Sequence, residues 1–399
     1  VSEHVVVTGG GIAGTVAALA LRTAGIDVTV IEVRPANHDG GAVVRLNPNA
    51  MDALRAIGAH QPIIATSFPL VRSEFYSPAG ERVRYRLGAD PASERGLPRV
   101  LAWPRLSQVL RDEAVGKGAV FRHDARVVDA EETADGVRAV LDNGDSVDGD
   151  VLVGADGVRS TIRPLIDPNA PAPQHIGTRT VYGYTPEPPC EPPPPEVLRA
   201  YGGKAFFAAT RNSFTGGCFW FTSLAAPEPA PNGETSDIED WRRRLLLVFE
   251  GQSPAAPMVE HAERILPFDD YAIPHLPRWH TDRMIVIGDS AHVAPPASEQ
   301  GAAMAIEDGV VLAQCLRDLP DPSHALAAFE RLRRERVEAV VALGQAGTRR
   351  AHTRGLRRLP RLAREKITKL AFWRPAPLGG PAWALDHHID WNRRIGQVS

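Results

Sequence analysis

Apolar positions along the chain alternate between two periods, and the first eighty residues show both. His4–Thr8 and Asp27–Glu32 are β-branched runs, while Thr15–Ala24 between them is rich in Ala and Leu and closes at Gly25. That pattern predicts strand, helix, strand, a βαβ unit at the start of the chain. The Ala50, Leu54, Ile57 spacing predicts a helix over about Asn47–Ile57 stopped by Gly58, and a second helix is expected over Pro104–Val115. Ser73–Leu87 reads as a hairpin turning at Pro78-Ala79-Gly80. A meander follows: Arg126–Glu131, Gly136–Leu141, an Asn143-Gly144 turn, and Ser146–Val153.

The second half changes character. Residues 186–195, PEPPCEPPPP, cannot form a helix or an inner strand and predict an extended connection. Tyr201–Phe207 and Cys218–Leu224 are expected as aromatic-rich strands, followed by a Pro/Gly-rich loop over 225–236 and a helix over Trp241–Phe249. Met284–Ile287 reads as a buried strand leading to an Ala-rich helix, Ala302–Leu316. Helical patterns continue over His324–Arg350 and Leu359–Leu370, and there is no internal repeat.

Composition narrows the class. With 399 residues, 43% of them hydrophobic, the chain can bury a large core and fits two to three domains. A net charge of −3 gives no reason to expect nucleic acid as a partner. No apolar run approaches the roughly 20 residues of a membrane span, and no signal-peptide pattern precedes Val5-Val6-Val7. Cys190, Cys218 and Cys315 lie far apart without a CxxC, so neither a disulfide scaffold nor a thiolate metal site is expected, and a cytoplasmic setting fits. Charge is uneven: Arg331–Arg374 holds fourteen Lys/Arg against three Glu. That stretch reads first as a solvated helical face packed on the main body.

Three motifs carry chemistry. Gly9-x-Gly11-x-x-Gly14 sits between strand and helix, with Glu32 about twenty residues on. The turn needs a residue without Cβ, the second glycine admits a pyrophosphate, and the third lets helix and strand pack closely. Phosphates then meet a positive helix N-terminus, and the acid accepts from ribose hydroxyls. The second motif is Gly154-Ala155-Asp156-Gly157-Val158-Arg159-Ser160, by itself a turn with a possible helix cap. In the third, Gly288-Asp289-Ser290-Ala291-His292 follows the buried strand, and the chain runs through Pro295-Pro296 to Gln300-Gly301 and the next helix. An acid at a strand end is placed to bind a ligand hydroxyl, and the helix start favours nearby negative charge.

Together and in this order, the motifs resemble the class A flavoprotein aromatic hydroxylases, single-component FAD monooxygenases, over about residues 4 to 320. The run from Gln300 to Asp308 is most similar to the salicylate and 6-hydroxynicotinate hydroxylase branch. The resemblance implies an α/β fold. A Rossmann-like FAD-binding domain (1–72, 100–180 and 276–330) would carry an inserted substrate-binding β-sheet domain (73–99 and 181–275), and a helical region would cover 331–399. It implies noncovalent FAD held by Gly9, Gly11, Ile12, Ala13, Gly14 and Glu32, with Val33 and Arg34 beside the ribose acid. Arg105 matches the arginine near the FAD phosphates, Val127 the main-chain contact to adenine, and Arg45 the segment beside the flavin. Asp156 would serve both FAD and the pyridine nucleotide, and Gly288 and Asp289 the ribityl chain. Pro296, Gln300, Gly301 and Ala302 would line the flavin. One residue departs from the pattern: Glu299 stands where the family usually has Gly or Ala.

The chemistry implied is that of a hydroxylase. NADPH or NADH would bind transiently and reduce FAD, and O₂ would then give a flavin C4a-hydroperoxide that hydroxylates an aromatic or other electron-rich small molecule. No second GxGxxG unit offers a separate nicotinamide domain. An FAD oxidoreductase of this fold that inserts no oxygen is the alternative, and a flavin-binding regulatory protein a more distant one. Substrate-pocket candidates are Trp220, which shares a strand face with Cys218 and Thr222, together with Tyr201, Phe207 and His292; no catalytic base is assigned. Trp383, His387, His388, Asp390 and Trp391 form a dense C-terminal group read as helix packing, with no metal expected. The protein is expected to be a monomer or homodimer.

Overall fold

A computed structural model describes residues 4–36, 42–77, 80–87, 96–133, 135–230, 237–252, 254–351 and 380–396. The N-terminal unit forms as its pattern requires: strand His4–Thr8, helix Ile12–Thr23, strand Asp27–Ile31. Val5, Val6 and Val7 have no solvent exposure, because the strand lies in the middle of a five-stranded parallel sheet. The order across that sheet is Met284–Val286, Val151–Gly154, His4–Thr8, Asp27–Ile31, Val120–Arg122. The near-continuous apolar runs of these strands are what burial on both faces demands.

The expected third arm of the meander is split. Ser146–Gly149 stays in a three-stranded antiparallel sheet, while Val151–Gly154 leaves it to enter the parallel sheet. A Cβ on Gly149 would meet a Val6 methyl at 2.9 Å, so the bend between the two strands requires the missing side chain.

A seven-stranded sheet holds the hairpin strands Arg72–Tyr76 and Arg82–Leu87 together with Gln174–Thr185, Val197–Tyr201, Phe206–Arg211, Cys218–Ala225 and Arg264–Ala272. Its strand Gln174–Thr185 runs unbroken across position 180. The expected strand Tyr201–Phe207 is instead the junction of two strands, which turn back at 202–205. An apolar count across that stretch cannot see the turn, because aromatic residues occupy both strand ends. The Pro-rich 186–195 segment makes no strand of its own.

Helix Gly301–Asp318 packs between helix Ile12–Thr23 and the long helix Pro322–Ala351. The approach to the first helix is so close that a Cβ on Gly309 would lie 2.6 Å from the Ala17 nitrogen. This central helix is apolar nearly all round, yet it buries Glu307 and Asp308 completely. Their charge is met by Arg333, itself 1% exposed, at 2.7 Å from Glu307 and 2.8 Å from Asp308, and by Arg336 at 2.8 Å from Glu307. Burial alone would raise both carboxyls, but the facing guanidiniums, and His292 for Asp308, hold each at about 2.

Part of the basic stretch is therefore spent inside the fold: Arg333 and Arg336 bind the central helix, and Arg334 pairs with Glu330 and Glu338. The helix expected over Leu359–Leu370 lies outside the described residues. The C-terminal segment straps onto the body. His388 Nδ1 lies 2.9 Å from Asp52, Arg317 sits over the Trp391 ring at 4.6 Å, and Arg336 donates to the Ala384 carbonyl. No helix among the described residues is long and apolar enough to cross a membrane.

Candidate active site

The Gly-rich turn shows three different demands on three glycines. Gly9 has φ +98°, and a Cβ there would lie 2.3 Å from the Ala155 carbonyl oxygen. A Cβ on Gly14 would meet the Gly9 oxygen at 1.9 Å. A Cβ on Gly11 would meet nothing within 4 Å, and Gly11 faces an open cavity of about 440 Å³. Helix Ile12–Thr23 begins at that cavity with no side-chain cap and no acid in its first turn, so its N–H groups are left for an anion.

Ile12, Ala13, Glu32, Val33, Arg34 and Val127 line the same cavity. Glu32 accepts from the Gly10 N–H at 2.5 Å and from the Arg34 N–H at 2.8 Å, which fixes its carboxylate at one end. Asp156, Asp289, Gly301 and Ala302 also line the cavity. The Asp289 side chain opens into the cavity while protein surrounds it, and this desolvation pushes its carboxyl up. Gly288, at φ +56°, lies beneath, where a Cβ would meet the Ala13 Cβ at 2.7 Å.

The second and third motifs are bolted together. Ser290 Oγ donates to Asp156 at 3.0 Å and accepts from the Gly157 N–H at 2.8 Å. The other Asp156 oxygen accepts from the Thr161 N–H at 2.6 Å, just before helix Ile162–Ile166, whose N-cap residue Thr161 makes no side-chain cap bond of its own. Arg163, buried, donates to the Ser290 carbonyl at 3.0 Å and to the Val158 carbonyl at 2.9 Å.

Beside this cavity, Pro296–Ser298 forms a single tight turn and Glu299 adopts φ +55°. That left-handed backbone favours glycine, which lacks a Cβ, so Glu299 is held there against its intrinsic preference. The Glu299 carboxylate pairs with Arg45, and its carbonyl accepts from Asn47 at 2.6 Å. Arg45 Nε and Asn47 Oδ1 remain buried without partners. Gln300, with no exposure, accepts from Asn49, which also donates to Glu307 at 2.7 Å.

Several expected positions move. Arg105 is exposed, donates to Gln108, and lines a separate cavity of about 350 Å³ with Phe214 and Phe219, away from the glycine turn. His292 is no pocket residue: its Nε2 lies 2.6 Å from Asp308 inside the core, where it anchors the Gly288 loop. Trp220 is also corrected. It does share a face with Cys218 and Thr222, but that face is fully buried against Phe207, Phe249 and the helix Ile238–Val248. Its Nε1 donates to Thr185 at 3.0 Å. Tyr201 lies on the same packed face, stacked on Tyr76 at 5.2 Å, and burial pushes its phenol up to about 12.

Sequence reasoning missed Trp103, Arg126, Arg159 and Thr161, all of which line the larger cavity. Arg159 and Thr161 stood in or beside a quoted motif, and Trp103 directly before the expected helix start; only their side-chain directions were not legible.

An FAD fits these residues on the structure's own terms. The uncapped helix start, the open position at Gly11 and the acids Glu32, Asp156 and Asp289 along one cavity are what the phosphates and hydroxyls of a dinucleotide would meet. Fold and site thus define a flavoprotein of the class A hydroxylase type. The chain belongs to the FAD binding domain family, whose model matches residues 2–343. It is 30% identical to the aurachin C monooxygenase/isomerase of Stigmatella aurantiaca, covering 86% of this chain and 89% of that one. It is likewise 30% identical to the 3-amino-4-hydroxybenzoate 2-monooxygenase PtnB3 of Streptomyces platensis, covering 85% and 87%. In fold it is similar to Klebsiella pneumoniae HpxO complexed with FAD and uric acid, with a TM-score of 0.80, 24% identity and 92% of each chain covered. The protein is an FAD-dependent monooxygenase.

Proposed function

We propose that the protein uses NADPH or NADH and O₂ to hydroxylate an aromatic or other electron-rich small molecule, bound between the flavin cavity and the seven-stranded sheet. The observation that carries this reading is an aromatic sheet face left partly open toward the loop that precedes Gly301: Phe219, Phe221 and Tyr182 are all half-buried. When bound, FAD supplies hydride acceptance and oxygen activation.

The chain's own residues do the rest. Glu32 and Asp289 hold the two ends of the dinucleotide by its hydroxyls. The start of helix Gly301–Asp318, with no acid in its first turn, favours negative charge on a reduced ring. The aromatic wall excludes water and orients the substrate ring. Asp156, Gly157 and Arg159 at the cavity rim are proposed to meet the pyridine nucleotide.

The test is a flavin spectrum before and after anaerobic NADPH or NADH, followed by turnover under ¹⁸O₂. Bleaching and one labelled oxygen per product are expected. Oxidised product without label would instead assign an oxidoreductase that inserts no oxygen.

A further inference from the structure

The loop between the third motif and the central helix starts and ends in the flavin cavity, since Ala294 and Gly301 both line it. Residues 295–300 between them are gripped from behind by two elements. On one side stands the long helix Pro322–Ala351, whose Gly344 and Gly347 lie against this loop. A Cβ on Gly344 would lie 3.0 Å from both the carbonyl oxygen and the Cδ of Pro295, and 3.1 Å from the Ser298 Cβ. A Cβ on Gly347 would lie 3.1 Å from the Ala297 Cβ. Alanine is the better helix former at an interior position, so these glycines weaken the helix and serve the close approach.

On the other side, the start of helix Pro48–Ala56 supplies two buried asparagines. Asn47 donates to the Glu299 carbonyl at 2.6 Å, and Asn49 donates to the Gln300 side chain at 3.0 Å and to Glu307 at 2.7 Å. Asn47 precedes its helix without making a side-chain cap bond there, so its amide serves the loop instead. The two grips meet around one strained residue, Glu299 at φ +55°. Such a backbone persists only where its surroundings over-determine it, and strain of this kind gathers at functional sites. Two residues on, Gly301 opens the central helix with no side-chain cap and no acid in its first turn. The N–H groups of that helix start carry partial positive charge, and a shift of the loop moves them relative to the cavity.

We propose that Gly344, Gly347 and Asn47 are positioning residues of the FAD site: they press and tie residues 295–300 so that Glu299 keeps its left-handed turn and the helix start at Gly301 stands fixed at the cavity. A positive helix end held there favours the negatively charged, reduced flavin over the oxidised one, and does so only while the loop is held. The inference concerns the FAD site alone and is independent of the substrate.

The experiment uses the full chain, stripped of flavin and reloaded with FAD, and reads three quantities: FAD affinity from flavin fluorescence, the equilibrium between bound flavin and a reference redox dye, and unfolding of the flavin-free protein in urea. Gly347→Ala sets a methyl group against Ala297. It is expected to weaken FAD about threefold to tenfold and to move the dye equilibrium about twofold to fivefold toward oxidised flavin. The flavin-free variant is expected to unfold at no lower urea concentration, because alanine favours the helix. Adding Ala297→Gly removes the opposing Cβ and is expected to restore both flavin readings. Asn47→Ala releases the Glu299 carbonyl and is expected to move the dye equilibrium in the same direction as Gly347→Ala. Unchanged flavin readings in Gly347→Ala, a loss that Ala297→Gly does not restore, or a dye equilibrium indifferent to Asn47→Ala would each overturn the proposal. A lower urea midpoint for flavin-free Gly347→Ala would also overturn it, by making the glycine a requirement of packing alone.

Discussion

The flavin-binding half and the substrate sheet are packed to different tolerances. Around the parallel sheet, glycines sit where no larger residue fits, and the nearest atoms are backbone: Gly9 against Ala155, Gly14 against Gly9, Gly309 against Ala17. In the seven-stranded sheet one face is closed to the same degree, with Gly183 directly under the Trp220 ring, while the other leaves its aromatic rings only partly covered. A cofactor that stays bound is served by a rigid, pre-shaped cradle. A substrate that must enter and leave is served by a wall with room before it.

The largest test of that contrast is Gly14→Val. Its side chain would displace the Gly9 carbonyl, and the purified protein is expected to carry no flavin and to unfold at lower temperature; a full flavin complement would break the cradle argument. Next comes Arg333→Met, which leaves two carboxylates buried without their main partner. A loss of about 3–5 kcal/mol is expected in chemical denaturation at pH 7. Because Glu307 and Asp308 sit at about 2 when folded, their stabilising share is complete above their unfolded values near 4 and is lost as pH falls toward 2.

Glu32→Ala removes the acid proposed to hold the dinucleotide's hydroxyls and the acceptor for two backbone N–H groups. FAD affinity, followed by flavin fluorescence quenching, is expected to fall by about 1–3 kcal/mol. Within the sheet the two faces should separate cleanly. Trp220→Phe is expected to cost about 1–2 kcal/mol of stability and leave KM unchanged, whereas Phe221→Leu should raise KM at little cost in stability. A shifted KM for the Trp220 variant would mean that the faces are not independent.

The smallest effect concerns the C-terminal strap. Burial, set against Glu307 but reinforced by Arg336 and Arg333, lowers His387 to about 4. Between pH 6.5 and 4 the unfolded chain takes up a proton that the folded strap refuses, so stability declines as pH falls through that window. Replacing His387 with Gln should flatten this part of the profile, read as melting temperature against pH.

Legibility followed the same division. The βαβ start, the acid at Glu32 and the Gly288-Asp289 turn were readable because backbone geometry and phosphate chemistry restrict the residue types allowed at fixed spacings. Trp220 was misassigned for a physical reason. Alternation correctly grouped it with Cys218 and Thr222, but period two does not say which face meets helices and which meets the flavin side. His292 looked available in sequence because its partner, Asp308, lies sixteen residues on and reaches it only through the fold.

The amino-acid sequence by itself determined the dinucleotide cradle, the order of the motifs and the family, since each rests on local backbone demands that few residues satisfy. Only the tertiary structure decided that Glu307 and Asp308 belong to the core, that Arg45 is taken by Glu299, and that the Trp220 face of the sheet is sealed under helices. Those outcomes depend on which distant surfaces meet, and no local period encodes that.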